Sequence, residues 1–171
     1  MKPKKRLHLA FAALVLLFAG GCRAESPKIS DNIAVLNEII DIQFSVKSGR
    51  WEAFSTPEGA GFLTAPADYI TLIAELKPAN ESSNAAKEAT GEIYIVPEAS
   101  RPWLSGDFRQ FLDKNKNKTV NVSSQADCHK YVTTLKKSHR TASGFACTKS
   151  GRVLLYLTIA SAKEVEARLP K

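Results

Sequence analysis

Glu52, Glu58 and Asp68 fall close together in the chain, beside Trp51 and among Pro57, Gly59, Gly61 and Pro66. Two carboxylates that face each other across a cleft can divide acid and base work. A long loop such as 56–68 is a common place to find them. The same acids read equally as surface carboxylates, with Asp68 opening a strand. A second group, Glu98-Ala99-Ser100-Arg101-Pro102-Trp103, follows a predicted strand. Arg and Trp are frequent contact residues, while Trp103 also suits a cap over the core. A third group is Cys128-His129 with Ser138-His139. A Ser or Cys nucleophile needs a base and an orienting acid that converge in space. The sequence holds no Gly-x-Ser-x-Gly, no His-Glu-x-x-His and no glycine-rich phosphate loop. His8, His129 and His139 have no metal-ligand spacing, so neither a metal nor a cofactor is expected.

Hydrophobic periodicity gives the elements that must position these residues. Ile33, Leu36, Ile39, Ile40 and Phe44 recur at helical spacing after Ser30-Asp31, which predicts a helix over 31–48 that stops at Gly49. Residues 40–47 also alternate as a strand would, so that half has two readings, and the single long helix is preferred here. A short strand over 50–55 precedes the loop. Residues 69–76 alternate Ile70, Leu72, Ala74 and Leu76 against Thr71, Ile73 and Glu75, a strand with one buried face. Residues 77–90 read as a polar connector and 91–96 as a second strand, expected beside the first. A helix over 106–114, a turn over 114–118 and a short strand over 119–122 follow. Cys128, Tyr131, Val132 and Leu135 form one stripe, predicting a helix over 124–137. The pattern closes with a hairpin of 144–148 and 152–160 about Lys149-Ser150-Gly151, and a charged tail from 161. Consecutive strands at two places favour an α+β fold: one small domain, a mainly antiparallel sheet and about three helices.

The start of the chain has a different character. Lys2, Lys4, Lys5 and Arg6 precede an apolar run from Leu9 to Phe18, then Ala19-Gly20-Gly21-Cys22. A spanning helix needs about 20 apolar residues, so this shorter run reads as the apolar region of a signal peptide. Leu17-Phe18-Ala19-Gly20-Gly21-Cys22 resembles the lipobox of bacterial lipoproteins, with Ala19 where that class favours Leu. The resemblance covers only this segment. It implies cleavage before Cys22, acylation of that cysteine, and a division into a signal peptide over 1–21, a tether over 22–30 and a domain over 31–171. Arg23, in place of the Asp that marks inner-membrane retention, implies the outer membrane. Ordinary cleavage after Ala24, giving a soluble periplasmic or secreted protein, is the alternative. With Cys22 lipidated, Cys128 and Cys147 remain as an even pair in an oxidising compartment, and a disulfide between them is expected. The other reading is two reduced, buried thiols. On the helix assignment, such a bridge would staple a helix to the sheet.

At 171 residues, 44% hydrophobic and 24% charged, the composition excludes collagen, a wholly disordered chain and a multi-span membrane protein. The formal charge of +7 is misleading. From Cys22 onward there are 20 basic and 17 acidic residues, a net +3. Residues 22–100 carry −6 and residues 101–171 carry +9. Such a split can build a basic face for an anionic partner: lipid head groups, lipopolysaccharide phosphates, peptidoglycan carboxylates or an acidic protein. Trp51, Arg101, Trp103, Arg109, Lys130, Lys136, Lys137 and Arg140 are the residues such a surface would use. The competing account is that the acidic and basic parts fold against each other. Nucleic acid is not expected, because no recognisable module is present. The sequence therefore points to a non-enzymatic binding protein of the bacterial envelope, with a membrane contact through its lipid and an envelope protein or anionic polymer as partner. Two alternatives stand beside it: an enzyme on cell wall or polysaccharide that uses the carboxylates of 52–68, and a structural part of an envelope assembly.

Overall fold

A computed structural model describes residues 29–56, 69–80 and 91–160. Residues 57–68, with Glu58 and Asp68, where a loop over 56–68 was expected, lie outside the described residues, as do Cys22 and the residues from 161. Seven strands and two α-helices are described: α1 (Ile33–Ile39), β1 (Val46–Thr56), β2 (Tyr69–Pro78), β3 (Glu92–Ile95), α2 (Gly106–Asn115), β4 (Lys118–Asn121), β5 (Cys128–Thr134), β6 (Thr141–Lys149) and β7 (Arg152–Ala160). Five strands form one antiparallel sheet in the order β1-β2-β7-β6-β5, while β3 and β4 pair separately. The architecture is α+β with a mostly antiparallel sheet, as expected, but it has two α-helices where about three were expected.

Both faces of the five-stranded sheet are covered, which explains the run Val153-Leu154-Leu155-Tyr156-Leu157 in the central strand β7. Successive side chains of a strand point to opposite faces. Val153, Leu155, Leu157 and Ile159 join Ile70, Leu72 and Leu76 beneath α1 and its Leu36. Leu154 and Tyr156 join Ile73, Phe145, Phe108, Leu112, Ile95 and Val120 beneath α2, β3 and β4. Phe145 stacks on Tyr156 at 5.0 Å between centroids and meets the edge of Phe111 at 5.9 Å. Gly144 is required by this packing, since a Cβ there would run into the Tyr156 carbonyl of the neighbouring strand. The turn between β6 and β7 uses Ser150 (φ 51°) and Gly151 (φ 69°). Two successive positive φ values match the twist of a two-residue hairpin.

Three sequence expectations are corrected. The long helix over 31–48 is a seven-residue helix followed by a strand from Val46. Asn32 caps α1, accepting from the Val35 N–H at 3.2 Å. The helix stops because Ile40 turns to pair with Leu135 at the outer edge of β5. Ser30 meanwhile pairs with Trp51 on β1, so the segment 30–40 reaches both outer strands of the sheet. Second, the stripe over 124–137 is not a helix. Its residues form β5, where Tyr131, Thr133 and Leu135 turn one way beside β6. Third, β3 does not lie beside β2. The central strand β7 takes that place, and β3 pairs with β4 on top of the sheet.

Candidate functional site

Two glutamates stand buried on the face of the sheet beneath α2. Glu52 on β1 is 3% exposed and Glu75 on β2 is 6% exposed. Glu52 lies opposite Ile73 and Glu75 opposite Arg50, which makes the two acids diagonal neighbours on that face. A buried carboxylate must be paired and hydrogen-bonded to stay charged. Glu52 Oε1 lies 2.8 Å from Arg101 Nη2, and Glu52 Oε2 accepts from Trp103 Nε1 at 2.8 Å. The Arg101 guanidinium also lies 4.0 Å from the centroid of the Phe54 ring, a cation–π distance. Glu75 Oε1 lies 2.7 Å from Arg152 Nη1, and its Oε2 accepts from the Ser105 backbone N–H at 2.7 Å.

The two acids therefore hold the segment 101–105 at its first, third and last residues, with Leu104 in the core between. That segment leads into α2, whose N-cap is Ser105. Each carboxylate has a partner on both oxygens, and two arginines balance two glutamates. In chemical terms the arrangement is a clamp that orients a loop and starts a helix.

The sequence-derived residues are spread over the molecule. Trp51 is not a surface residue. It is 2% exposed, and its Nε1 donates to the Asn32 carbonyl at 3.0 Å, which fixes the start of α1. Arg101 and Trp103 belong to the clamp. Arg109 is exposed on α2, and Lys130 is half-buried on β5. Lys136, Lys137 and Arg140 are exposed together in the turn between β5 and β6. His129 is half-buried on β5 and His139 is exposed in the same turn, and no metal-holding cluster occurs among the described residues. Cys128 and Cys147 face each other across β5 and β6 with their sulfurs at bonding distance and their Cα atoms 4.0 Å apart. The expected staple from helix to sheet is thus a rung between neighbouring strands.

Glu75 was not among the sequence candidates, although the sequence carries a signal for it. A lone acid in the apolar strand Ile70–Leu76 implies a buried cation or donor nearby. Two tyrosines complete the polar interior. Burial pushes the Tyr156 hydroxyl pKa above 10.0, against the lowering effect of its hydrogen bond with Val96. That hydroxyl accepts from the Val96 N–H at 3.2 Å and donates to the Tyr94 carbonyl at 3.0 Å, tying the end of β3 to the sheet. Burial likewise raises Tyr131, whose hydroxyl accepts from the Gln43 N–H at 3.1 Å.

Charge is arranged across the clamp in the same sense. Arg101–Glu52, Arg152–Glu75 and Lys136–Asp41 (4.0 Å) each join a base from the second part of the chain to an acid from the first. Lys149–Asp107, at 3.5 Å, lies within the second part. Comparison with protein-family models, with curated proteins and with solved structures finds no match to this chain.

Proposed function

We propose that this chain is exported to the bacterial cell envelope, anchored through lipid on Cys22, and acts there as a non-enzymatic binding protein. Its partner on this reading is an envelope protein or an anionic envelope component, and its site is the outer membrane. The observation that carries the reading is the run Leu17–Cys22 behind a basic and apolar leader. The first attachment of the described chain to its sheet, Ser30 to Trp51, comes eight residues after Cys22. That leaves a short tether between lipid and domain. Several acyl chains hold a protein at a membrane far better than one.

Among the described acids of the sheet, the state of Glu52 and Glu75 supports binding rather than catalysis. A general acid or base needs an oxygen within reach of substrate, and Glu52 and Glu75 have both of theirs engaged by the protein. The test is made on the intact protein in its membrane. Its N-terminal peptide should begin at Cys22 and carry acyl chains there, and Cys22→Ala should abolish that acylation and release the chain from the membrane fraction. An unmodified Cys22, or membrane retention unchanged by the substitution, overturns the anchor. Affinity capture from envelope extract then identifies the partner.

A further inference from the structure

Among the described residues, Ile29 and Tyr94 are the large apolar side chains that stay exposed, and Tyr94 is 50% exposed. Alternation along the β3–β4 ribbon puts it there. Ile93, Ile95 and Val120 turn to the core, so Tyr94 and its cross-strand neighbour Thr119 take the outer face. A tyrosine already held in place offers a large contact at little cost in entropy. Tyr94 is held: its hydroxyl donates to Asn117 Oδ1 at 3.0 Å. Asn117 is fixed in turn, with φ 59° and its N–H donated to the Ile95 carbonyl at 2.9 Å.

The turn that holds Tyr94 also carries a cluster of charge. Lys114 in the last turn of α2, Lys116 at its C-cap and Lys118 at the start of β4 are all exposed. Lys118 Nζ donates to the Lys114 carbonyl at 3.1 Å, which closes the turn on itself. The acids beside it are Asp113, exposed on α2, and Glu92, at the far end of the ribbon opposite Asn121. Among the described residues no acid pairs with any of the three lysines, and the ion pairs lie elsewhere. The end of α2 and the outer face of the ribbon thus form one rigid patch of cations around an aromatic ring.

We propose that Tyr94 with Lys114, Lys116 and Lys118 binds an acidic glycan, peptidoglycan, laying a sugar ring on Tyr94 and carboxylates against the lysines. This rests on the envelope-binding reading, names its anionic component, and needs no lipid. The face of an aromatic ring is negative and attracts the C–H groups of a sugar. The Asn117 amide and Thr119 hydroxyl, both exposed, offer donors and acceptors to sugar hydroxyls. Each lysine is a compact point charge on a flexible stem. The three leave different pieces of backbone, which suits charges spread along a polymer better than a single phosphate group.

The test measures co-sedimentation of the protein, isolated from its membrane, with insoluble peptidoglycan. Binding should weaken about tenfold in high salt, and chitin, a glycan without carboxylates, should bind about tenfold more weakly. Lys114→Gln with Lys116→Gln should cost about tenfold and leave the denaturant midpoint unchanged. Tyr94→Ala should cost about fivefold, while Tyr94→Phe, which keeps the ring, should stay within about twofold. Lys136→Gln with Lys137→Gln removes the same charge from another exposed turn and should change nothing. Absence of co-sedimentation overturns the proposal, as does full binding by Tyr94→Ala. Equal loss in the two lysine pairs also overturns it, because the attraction is then one of general charge. Soluble peptidoglycan fragments should compete best. Polyglutamate, lipopolysaccharide or phosphatidylglycerol vesicles that compete as well overturn the glycan assignment. Acylation of Cys22 is read on the same samples. An acylated protein that captures another envelope partner but not peptidoglycan overturns this site and leaves the binding reading standing. An unacylated chain that binds peptidoglycan through Tyr94 and the lysines supports the site without the anchor.

Discussion

Glu52 and Glu75 set two negative charges beneath the segment 101–105, and the side chains that answer them arrive from far along the chain. A buried ion pair contributes little net stability against a well-packed apolar replacement, but removing one partner strands the other. Glu52→Ala leaves Arg101 in a site where only 13% of its side chain is exposed and should cost about 3–5 kcal/mol of unfolding free energy. Replacing Glu52 and Arg101 together by Leu and Met should cost less than either single change. A denaturant series on the four proteins decides the matter, and a cost below about 1 kcal/mol for Glu52→Ala would place the pair among ordinary surface bridges. The tyrosines give a pH dependence. Tyr131 and Tyr156 are raised above 10.0 by burial, so their neutral forms stabilise the fold below pH 10. That contribution is lost as pH rises through the folded values. Ultraviolet titration should show two of the four tyrosines ionising late and together with alkaline unfolding. Four independent titrations near the ordinary value would contradict this.

At the scale of elements, β5 shows why periodicity misled. Cys128, Tyr131, Val132 and Leu135 satisfy a helical stripe, yet Tyr131, Thr133 and Leu135 satisfy a strand equally well. The β-branched run Val132-Thr133-Thr134 weighed against a helix, but the decisive factor was a partner: β6 offered a full antiparallel ladder. The same holds at Ile40, where the alternating pattern of 40–47 was legible but the bridge to Leu135 that ends α1 was not. Where turn chemistry is local, as at Ser150-Gly151, the sequence reading was right; Ile70–Leu76 is a strand as read, but Thr71, Ile73 and Glu75 are buried as well, so it has two buried faces where one was expected. The cysteine pair belongs to this scale as well. A loop of about 20 residues closed by a bridge contributes roughly 3 kcal/mol on the chain-entropy model. Here it would lock the open end of the β5–β6 hairpin, opposite its basic turn. Non-reducing mass analysis should find no free thiol on Cys128 or Cys147, and reduction should lower the denaturant midpoint. Free thiols in freshly isolated protein would remove the bridge from the account.

For the whole molecule, composition and order of residues already determined several things. The basic and apolar run of residues 2–18 ahead of Cys22, the net +3 of the chain from Cys22 onward, and its division into an acidic first part and a basic second part are all properties of the linear chain. So is the α+β class, because consecutive alternating runs separated by short turns favour antiparallel pairing. Only the tertiary structure decided what the charge division does. Three of its bases meet acids of the first part, two of them in the clamp under the segment 101–105, so part of the asymmetry serves to hold the two parts together. Only the tertiary structure, too, placed Trp51 in the core and set the base of the β5–β6 turn at the end of α1. The physical reason is one of range. Apolar runs, turns and alternation depend on neighbours within a few residues, whereas the pairs Glu52–Arg101 and Glu75–Arg152 join positions that only the order β1-β2-β7-β6-β5 and the layer above it bring together.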